Sequence, residues 1–233
     1  MGVSGYCVRP PEARTKPKVA AFTSIRLDKL RELKPDLILG FSDLQKDIAR
    51  ELVAEGFTVF ISNQRTLQEI ADMILATGRL IGEEKKAVKF YKKFWKELKS
   101  LKAPLGVRPR IYFEEWDNPL ISGISWVSEL IEFFGGEDVF KKNPPGKNAK
   151  DRVVSPEEVI AANPDAIIAS WCGKKVQFEK ITARPGWEKI KAVQNGCLYE
   201  IKSSDILAPG LSLLHGARQM AEILQKLKRD FRG

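Results

Sequence analysis

Histidine is nearly absent from this sequence, and cysteine is scarce. The one histidine, His215, and the three cysteines, Cys7, Cys172 and Cys197, limit the chemistry available. A single histidine cannot build a histidine cluster around a metal, and any Ser/His/Asp triad would have to use His215 itself. That residue lies in LSLLHGARQMAEIL, whose apolar spacing is helical, so it reads as structural or partly exposed. The cysteines are odd in number and form no CxxC pair, which argues against a zinc site and against a disulfide framework. No apolar run approaches the roughly 20 residues of a membrane-spanning helix. The opening stretch, MGVSGYCVRPPEARTKP, has no signal-peptide core, so the chain as written points to the cytoplasm.

What is present is a chain of 233 residues, 43% hydrophobic, long enough for one large or two small α/β domains. Its formal net charge of +9 raises nucleic acid as a partner. Much of that charge falls in residues 85–102, interleaved with Phe90, Tyr91, Phe94, Trp95, Leu98 and Leu101 at helical spacing. These lysines read as the wet face of an amphipathic helix, and no nucleic-acid motif accompanies them.

One short phrase nearly repeats. Residues 27–40 read LDKLRELKPDLILG, and residues 156–169 read PEEVIAANPDAIIA. Each has an acid at a helix start, a short helix, Pro-Asp, then a buried-strand run. Two copies so far apart imply two similar lobes, and such lobes usually hold something between them. Asp28 and Glu157 occupy matching places, where a carboxylate complements a helix N-terminus.

Strand and helix signals alternate through residues 19–81, the pattern of a parallel α/β layer. Strands are expected at 19–21, 37–39 and 57–61, and helices at 25–33 and 43–54. A further helix is capped by Thr66, with Glu69 completing a capping box. Residues 83–101 form a long amphipathic helix, a plausible rigid strut, followed by the breaker-rich loop APLGVRP. Beyond it come strands at 110–113, 166–169 and 197–201 and helices at 126–134 and 211–227. Another helix starts at Ser155-Pro156, and a polar loop covers 141–150.

The ordered set GVSGYCVRPPEA, AAFTSIRLDKLRELKPDLILGFSD, the strut, IYFEEWDNPLISG and FFGGEDVF resembles the class III substrate-binding proteins of ABC importers. It is most similar there to the cobalamin (vitamin B12) binders, with ferric-siderophore and haem binders as cousins. The resemblance implies an α/β fold of two Rossmann-like lobes bridged by a single long α-helix, with a ligand cleft between them. The expected division is an N-terminal lobe at 1–82, the bridging helix at 83–102 and a C-terminal lobe at 103–233. A bridging helix hinges little, which lowers the ordering cost of binding. Family members place a strand and a helix before the GVSGY phrase, so the first βα unit of the N-terminal lobe is expected to be missing here. The resemblance also implies an extracytoplasmic location, periplasmic or at the cell surface.

Ligands of open α/β sheets sit at the carboxyl ends of strands. The residues just past the expected strands are Phe22; Phe41, Ser42 and Asp43; Glu114, Glu115 and Trp116; the run from Ser170 through Trp171 and Cys172 to Lys175; and Ser203 to Ile206. Tyr6 lies in the first loop. The cobalamin-binder resemblance puts Tyr6, Phe22 and Ile206 beside the corrin ring. A corrin is a broad, largely apolar disc rimmed by amides, which suits aromatic and aliphatic walls with a few polar groups. The expected ligand-binding set is Tyr6, Phe22, Phe41, Glu115, Trp116, Trp171, Cys172 and Ile206. Trp126 reads as core, whereas Trp116 and Trp171 read as cleft walls. Cys7 and Cys172 are either a thiolate donor near a metal or two small buried residues. Lys174, Lys175 and Arg184 are candidates for attracting an anionic ligand. By resemblance, Asp28 and Glu157 dock into arginines of a twofold permease.

The leading expectation is a non-catalytic monomer that delivers a corrinoid to an ABC permease dimer, with no cofactor and no bound metal of its own. The alternatives are a ferric-siderophore or haem binder, a cytoplasmic corrinoid carrier, and a tetrapyrrole chelatase-like enzyme using Glu114 and Glu115 beside Cys172.

Overall fold

The computed structural model describes residues 1–102, 106–141 and 148–231. Part of the breaker-rich loop and most of the polar loop expected at 141–150 lie outside the described residues. The chain divides into two compact units, Met1–Gln64 and Arg65–Gly233.

The first unit contains β1 (Val3–Ser4), β2 (Lys18–Ala20), α1 (Leu27–Leu33), β3 (Ile38–Phe41), α2 (Lys46–Ala54) and β4 (Val59–Ser62). Strand β1 runs parallel to β2, and β3 runs parallel to β4 with Ile38 opposite Val59 and Phe41 opposite Ser62. The core is small: Val19, Leu30 and Leu52 are buried, with Ile25, Leu27, Leu33, Ile38, Phe57 and Val59 packed around them. Helix α1 stops because Lys34 takes the left-handed conformation (φ 42°) and Pro35 follows.

The second unit opens with an antiparallel helix pair, α3 (Leu67–Leu80) and α4 (Glu84–Ser100). The expected capping box forms: Thr66 Oγ1 accepts from the Glu69 N–H, and the Glu69 carboxylate accepts from the Thr66 N–H. Gly82, at φ +69°, makes the turn. The helices approach so closely at Gly78 that a Cβ there would lie 2.2 Å from the Ala87 Cβ. That packing puts α3 in the same compact unit as α4, whereas the sequence reading grouped it with the first lobe. At about 1.5 Å per residue, the seventeen residues of α4 span about 25 Å.

The remainder contains β5 (Arg110–Asp117), β6 (Leu120–Ser122), α5 (Ser125–Phe133), β7 (Glu137–Asp138), α6 (Pro156–Ala162) and β8 (Ala166–Ala169). It continues with α7 (Phe178–Thr182), α8 (Lys191–Gln194), β9 (Leu198–Glu200), α9 (Ser203–Ile206) and α10 (Leu213–Asp230). One mixed sheet runs in the order β6-β5-β8-β9, and β7 also pairs with β5. Strands β7, β5, β8 and β9 are parallel, while β6 turns back antiparallel along the second half of β5. The sequence reading ended β5 at Phe113. It runs on to Asp117 because β6 supplies hydrogen-bonding partners to Glu114, Trp116 and Asp117. Every residue of β8 is buried, as expected for a central parallel strand.

Helix α10 closes the unit. Gly216 lets it lie on α9, since a Cβ there would come within 2.6 Å of the Asp205 carbonyl oxygen. Its Arg218 pairs with Glu97 of α4.

Candidate functional site

In the first unit, three aromatic residues stand at or just past the carboxyl ends of β1, β2 and β3. Tyr6 sits in the turn after β1 and is 64% exposed. The turn is fixed by the Cys7 N–H donating to the Ser4 carbonyl (3.0 Å) and the Gly5 N–H donating to the Ala20 carbonyl (2.8 Å). Phe22 follows β2 and is 38% exposed. Phe41 ends β3 and is half-buried. One side chain that sequence reasoning missed ties the last two together. Gln45 Oε1 accepts from the Phe41 N–H (2.9 Å), and Gln45 Nε2 donates to the Phe22 carbonyl (2.8 Å). A single glutamine in a helix-start segment carries no sequence signal for that role. Between Phe41 and Asp43, Ser42 sits at φ 73° and ψ 159°, a region almost reserved for glycine, and its Oγ accepts from the Leu44 N–H. The chain thus accepts local strain in the turn that carries Phe41.

In the second unit, three acid–base pairs gather where β5 ends. Glu114 is fully buried and holds Arg184 by two hydrogen bonds, Nη1 to Oε2 at 2.5 Å and Nη2 to Oε1 at 2.9 Å. The Trp171 indole N–H also donates to Glu114 Oε1, at 2.9 Å. The Arg184 guanidinium stacks 4.3 Å from the Trp187 ring centre. Next, Glu115 receives Arg152 through both carboxylate oxygens at 2.6 and 3.0 Å, and Arg152 also donates to the Ser122 carbonyl. Finally, Lys174 pairs with Asp117 at 2.6 Å, its Nζ lying 4.0 Å above the Trp116 ring and 4.9 Å from that of Trp171. Each of these three cations therefore has an acid partner, and none of the three is an open anion receptor.

Several expected site residues take other roles. Trp171 is 1% exposed and packs in the core with Tyr112, Trp187 and Ile181, so it is corrected from cleft wall to core. The reason is Glu114: a buried carboxylate satisfies the indole N–H that would otherwise keep this ring near solvent. Ile206 is fully buried beneath α10, and its carbonyl accepts from the Trp126 indole at 2.9 Å. It presents no side chain to a ligand. Trp126, read as core, is 1% exposed. Arg184 and Lys174, read as anion attractors, are held by Glu114 and Asp117. Glu115 is engaged by Arg152. Trp116 remains half-buried, with its N–H donating to the Asn118 carbonyl at 2.8 Å.

Cys172 lies in the exposed turn after β8, where Gly173 adopts φ +75°. Local desolvation pushes its thiol up from the ordinary value, and the Glu115 carboxylate adds to the effect. That environment favours the thiol over a thiolate donor. Cys7 is half-buried, its Sγ 3.6 Å from the Arg9 carbonyl oxygen. Among the described residues, no group of three or more His, Cys, Asp and Glu could hold a metal ion.

The two matching acids both stand exposed in a first helical turn. Hydrogen bonding from the Lys29 backbone holds the Asp28 carboxyl below its usual range, and Arg26, 3.3 Å away, adds a smaller effect. Glu157 follows Pro156 at the start of α6, beside Glu158. The capping box uses Glu158, whose carboxylate accepts from the Ser155 N–H at 2.7 Å, and leaves Glu157 facing solvent.

Comparison with known proteins agrees with this architecture. A vitamin B12-binding protein of Vibrio vulnificus (strain YJ016) is 28% identical over 228 residues, spanning 95% of this chain and 81% of the relative. The solved periplasmic vitamin B12-binding protein BtuF of Vibrio cholerae matches with a TM-score of 0.74 at 24% identity, covering 98% of this chain and 89% of that one. The periplasmic haem-binding protein BhuT, solved with two haems, matches with a TM-score of 0.79 at 17% identity, covering 97% and 88%. With the α/β fold of the class III substrate binders, and with residues 1–204 matching the family described as periplasmic binding protein, this chain belongs to that family.

Proposed function

We propose that this chain is the substrate-binding component of an ABC importer and that it carries cobalamin or a related corrinoid. The carrying observation is the set of exposed aromatic rings, Tyr6 and Phe22, at the strand ends of the first unit. The half-buried rings of Phe41 and Trp116 lie at the corresponding ends of β3 and β5. Ring faces suit a broad, largely apolar disc, at about 25 cal/mol per Å² of apolar surface covered. The cations near β5 support the same choice. Arg152, Arg184 and Lys174 are each matched by a carboxylate, so an uncharged, amide-rimmed ligand fits better than a polyanion. The vitamin B12-binding relatives point the same way. The protein works outside the cytoplasm as a monomer, and Asp28 and Glu157 present their carboxylates to arginines of a permease dimer.

A haem or ferric-siderophore ligand is the second reading. Lys175 favours it: exposed four residues after Trp171, past the end of β8, it makes no ion pair among the described residues. The haem-bound neighbour adds to it. Titration of the full chain with cyanocobalamin, haem and a ferric siderophore, followed by tryptophan fluorescence and co-elution on gel filtration, separates the two. Quenching and co-elution with cyanocobalamin alone are expected. Retention of haem or the siderophore instead moves the assignment to the second reading, and retention of none removes both.

A further inference from the structure

Helix α4 carries five lysines in one line. Lys85, Lys89, Lys92, Lys96 and Lys99 are spaced four, three, four and three residues apart. At about 100° per residue they fall within about 80° of arc, and at about 1.5 Å per residue they extend about 21 Å. All five are exposed, and none makes an ion pair among the described residues. The opposite face is the buried one, formed by Ala87, Phe94 and Leu98.

The acids of α4 stand off this line and face other partners. Glu84 pairs with Arg79 at 3.9 Å, while Glu97 takes both Lys93, at 3.6 Å, and Arg218. A helix stabilised only by its own surface charges would alternate signs to gain i,i+4 pairs. This one keeps a single sign along its outer stripe, where like charges at i,i+4 and i,i+3 repel. A solvated face alone does not account for that arrangement.

One margin of the stripe is apolar. Val88, 42% exposed, and the half-buried Trp95 lie along the same edge, seven residues apart. At the end of α3, just before the turn into α4, Leu80 and Ile81 expose 48% and 55%. We propose that this face of α4 is a docking surface for an anionic phospholipid bilayer. The lysine heads would lie among lipid phosphates, and Val88, Trp95, Leu80 and Ile81 would reach the headgroup boundary. Lysines bordered by aliphatic and tryptophan side chains are the composition of a helix lying in a membrane interface. Three of the four bordering side chains, Val88, Leu80 and Ile81, are aliphatic and offer a nucleic acid no stacking surface, which is why lipid fits this stripe better than a polynucleotide does. A carrier held against the bilayer would meet a membrane partner by searching a surface instead of a volume.

The test is co-sedimentation of the full chain with phosphatidylcholine vesicles, with and without phosphatidylglycerol, and with no small ligand present. It compares the wild type with two variants that lose equal charge. One replaces Lys85, Lys89, Lys92, Lys96 and Lys99 by Gln. The other replaces Lys16, Lys46, Lys180, Lys189 and Lys202, all exposed and elsewhere, by Gln. Wild type and the second variant are expected to bind only the phosphatidylglycerol vesicles. Both should be released at about 1 M salt, where charge interactions decay within about 3 Å. The stripe variant is expected to bind at least about tenfold more weakly, with an unchanged circular dichroism spectrum. Equal weakening of both variants, or no binding of the wild type, overturns the proposal. So does stripe-dependent retention on duplex DNA without retention on vesicles. Because no corrinoid is present, each of these outcomes leaves the ligand assignment standing.

Discussion

The repeated phrase folds twice, and its two copies sit in different surroundings. In both, a short helix ends in a left-handed residue, Lys34 at φ 42° or Asn163 at φ 43°, then Pro-Asp, then a parallel strand. In the first unit that strand, β3, has one parallel neighbour, and Leu39 on it is 49% exposed. In the second unit, β8 lies between β5 and β9, and all four of its residues are buried. The helix starts differ too. Ser155 caps α6 in a reciprocal box, whereas Arg26 precedes α1 with no side-chain cap. Local sequence therefore sets the turn and the strand, while the neighbours set how much each contributes to stability. The second copy builds a core. The first places Phe41 at the end of a lightly buried strand.

The sharpest way to break this contrast is to unpair the buried acid of the second unit. Arg184→Ala leaves Glu114 charged and buried, and a loss of about 3–5 kcal/mol is expected by denaturant unfolding. The corresponding exposed pair of the first unit is expected to contribute little. Arg26→Ala should leave the unfolding midpoint nearly unchanged in the same measurement. Equal effects would mean that burial does not separate the units.

The strands themselves give the next comparison. Ile167→Ala in β8 is expected to cost about 2–5 kcal/mol, since its side chain is fully buried. Leu39→Ala in β3 should cost less than about 1 kcal/mol, because half of the side chain already meets water. At the helix starts, Ser155→Ala should cost about 1 kcal/mol, and Arg26→Ser should gain a few tenths up to about 1 kcal/mol by supplying the missing cap.

Two carboxyls give the smallest effects, with opposite signs. Burial raises Asp138, whose carboxylate accepts from Ser128 Oγ and from the Phe140 N–H at 3.0 Å. The folded state keeps a proton that the unfolded state releases. Its contribution is complete below the ordinary carboxylate range and is lost as pH rises through the higher folded value. Asp138→Asn should therefore remove a decline in Tm on going from acid towards neutral pH. Asp28 is held low, so its contribution is present above the ordinary range and is lost as pH falls. Asp28→Asn should flatten the acid limb instead. Thermal melts across pH 3–7 would show both signs, within the roughly usual carboxylate window.

Much of the fold could be read from local signals. The capping boxes at Thr66 and Ser155, the Pro-Asp strands and the long helix ending near Leu101 all follow from nearest-neighbour chemistry. The missed elements depend on the strands they pair with. Strand β7 has two residues and β6 has three, too few to show a period, and β5 is lengthened only by pairing with β6. The exposure of rings that follow strands was legible, as with Tyr6 and Phe22. It was not legible where a remote side chain decides burial. Glu114 draws Trp171 into the core across 57 residues of sequence, and Gln45 links the Phe22 and Phe41 turns by hydrogen bonds that no motif announces.

Isothermal titration of cyanocobalamin into the wild type and into Tyr6→Ala and Phe22→Ala tests the central claim most directly. Saturable one-to-one binding by the wild type is expected, with each variant weakened about tenfold by the loss of a buried ring face. Absence of binding by the wild type, or affinities unchanged in both variants, would contradict it.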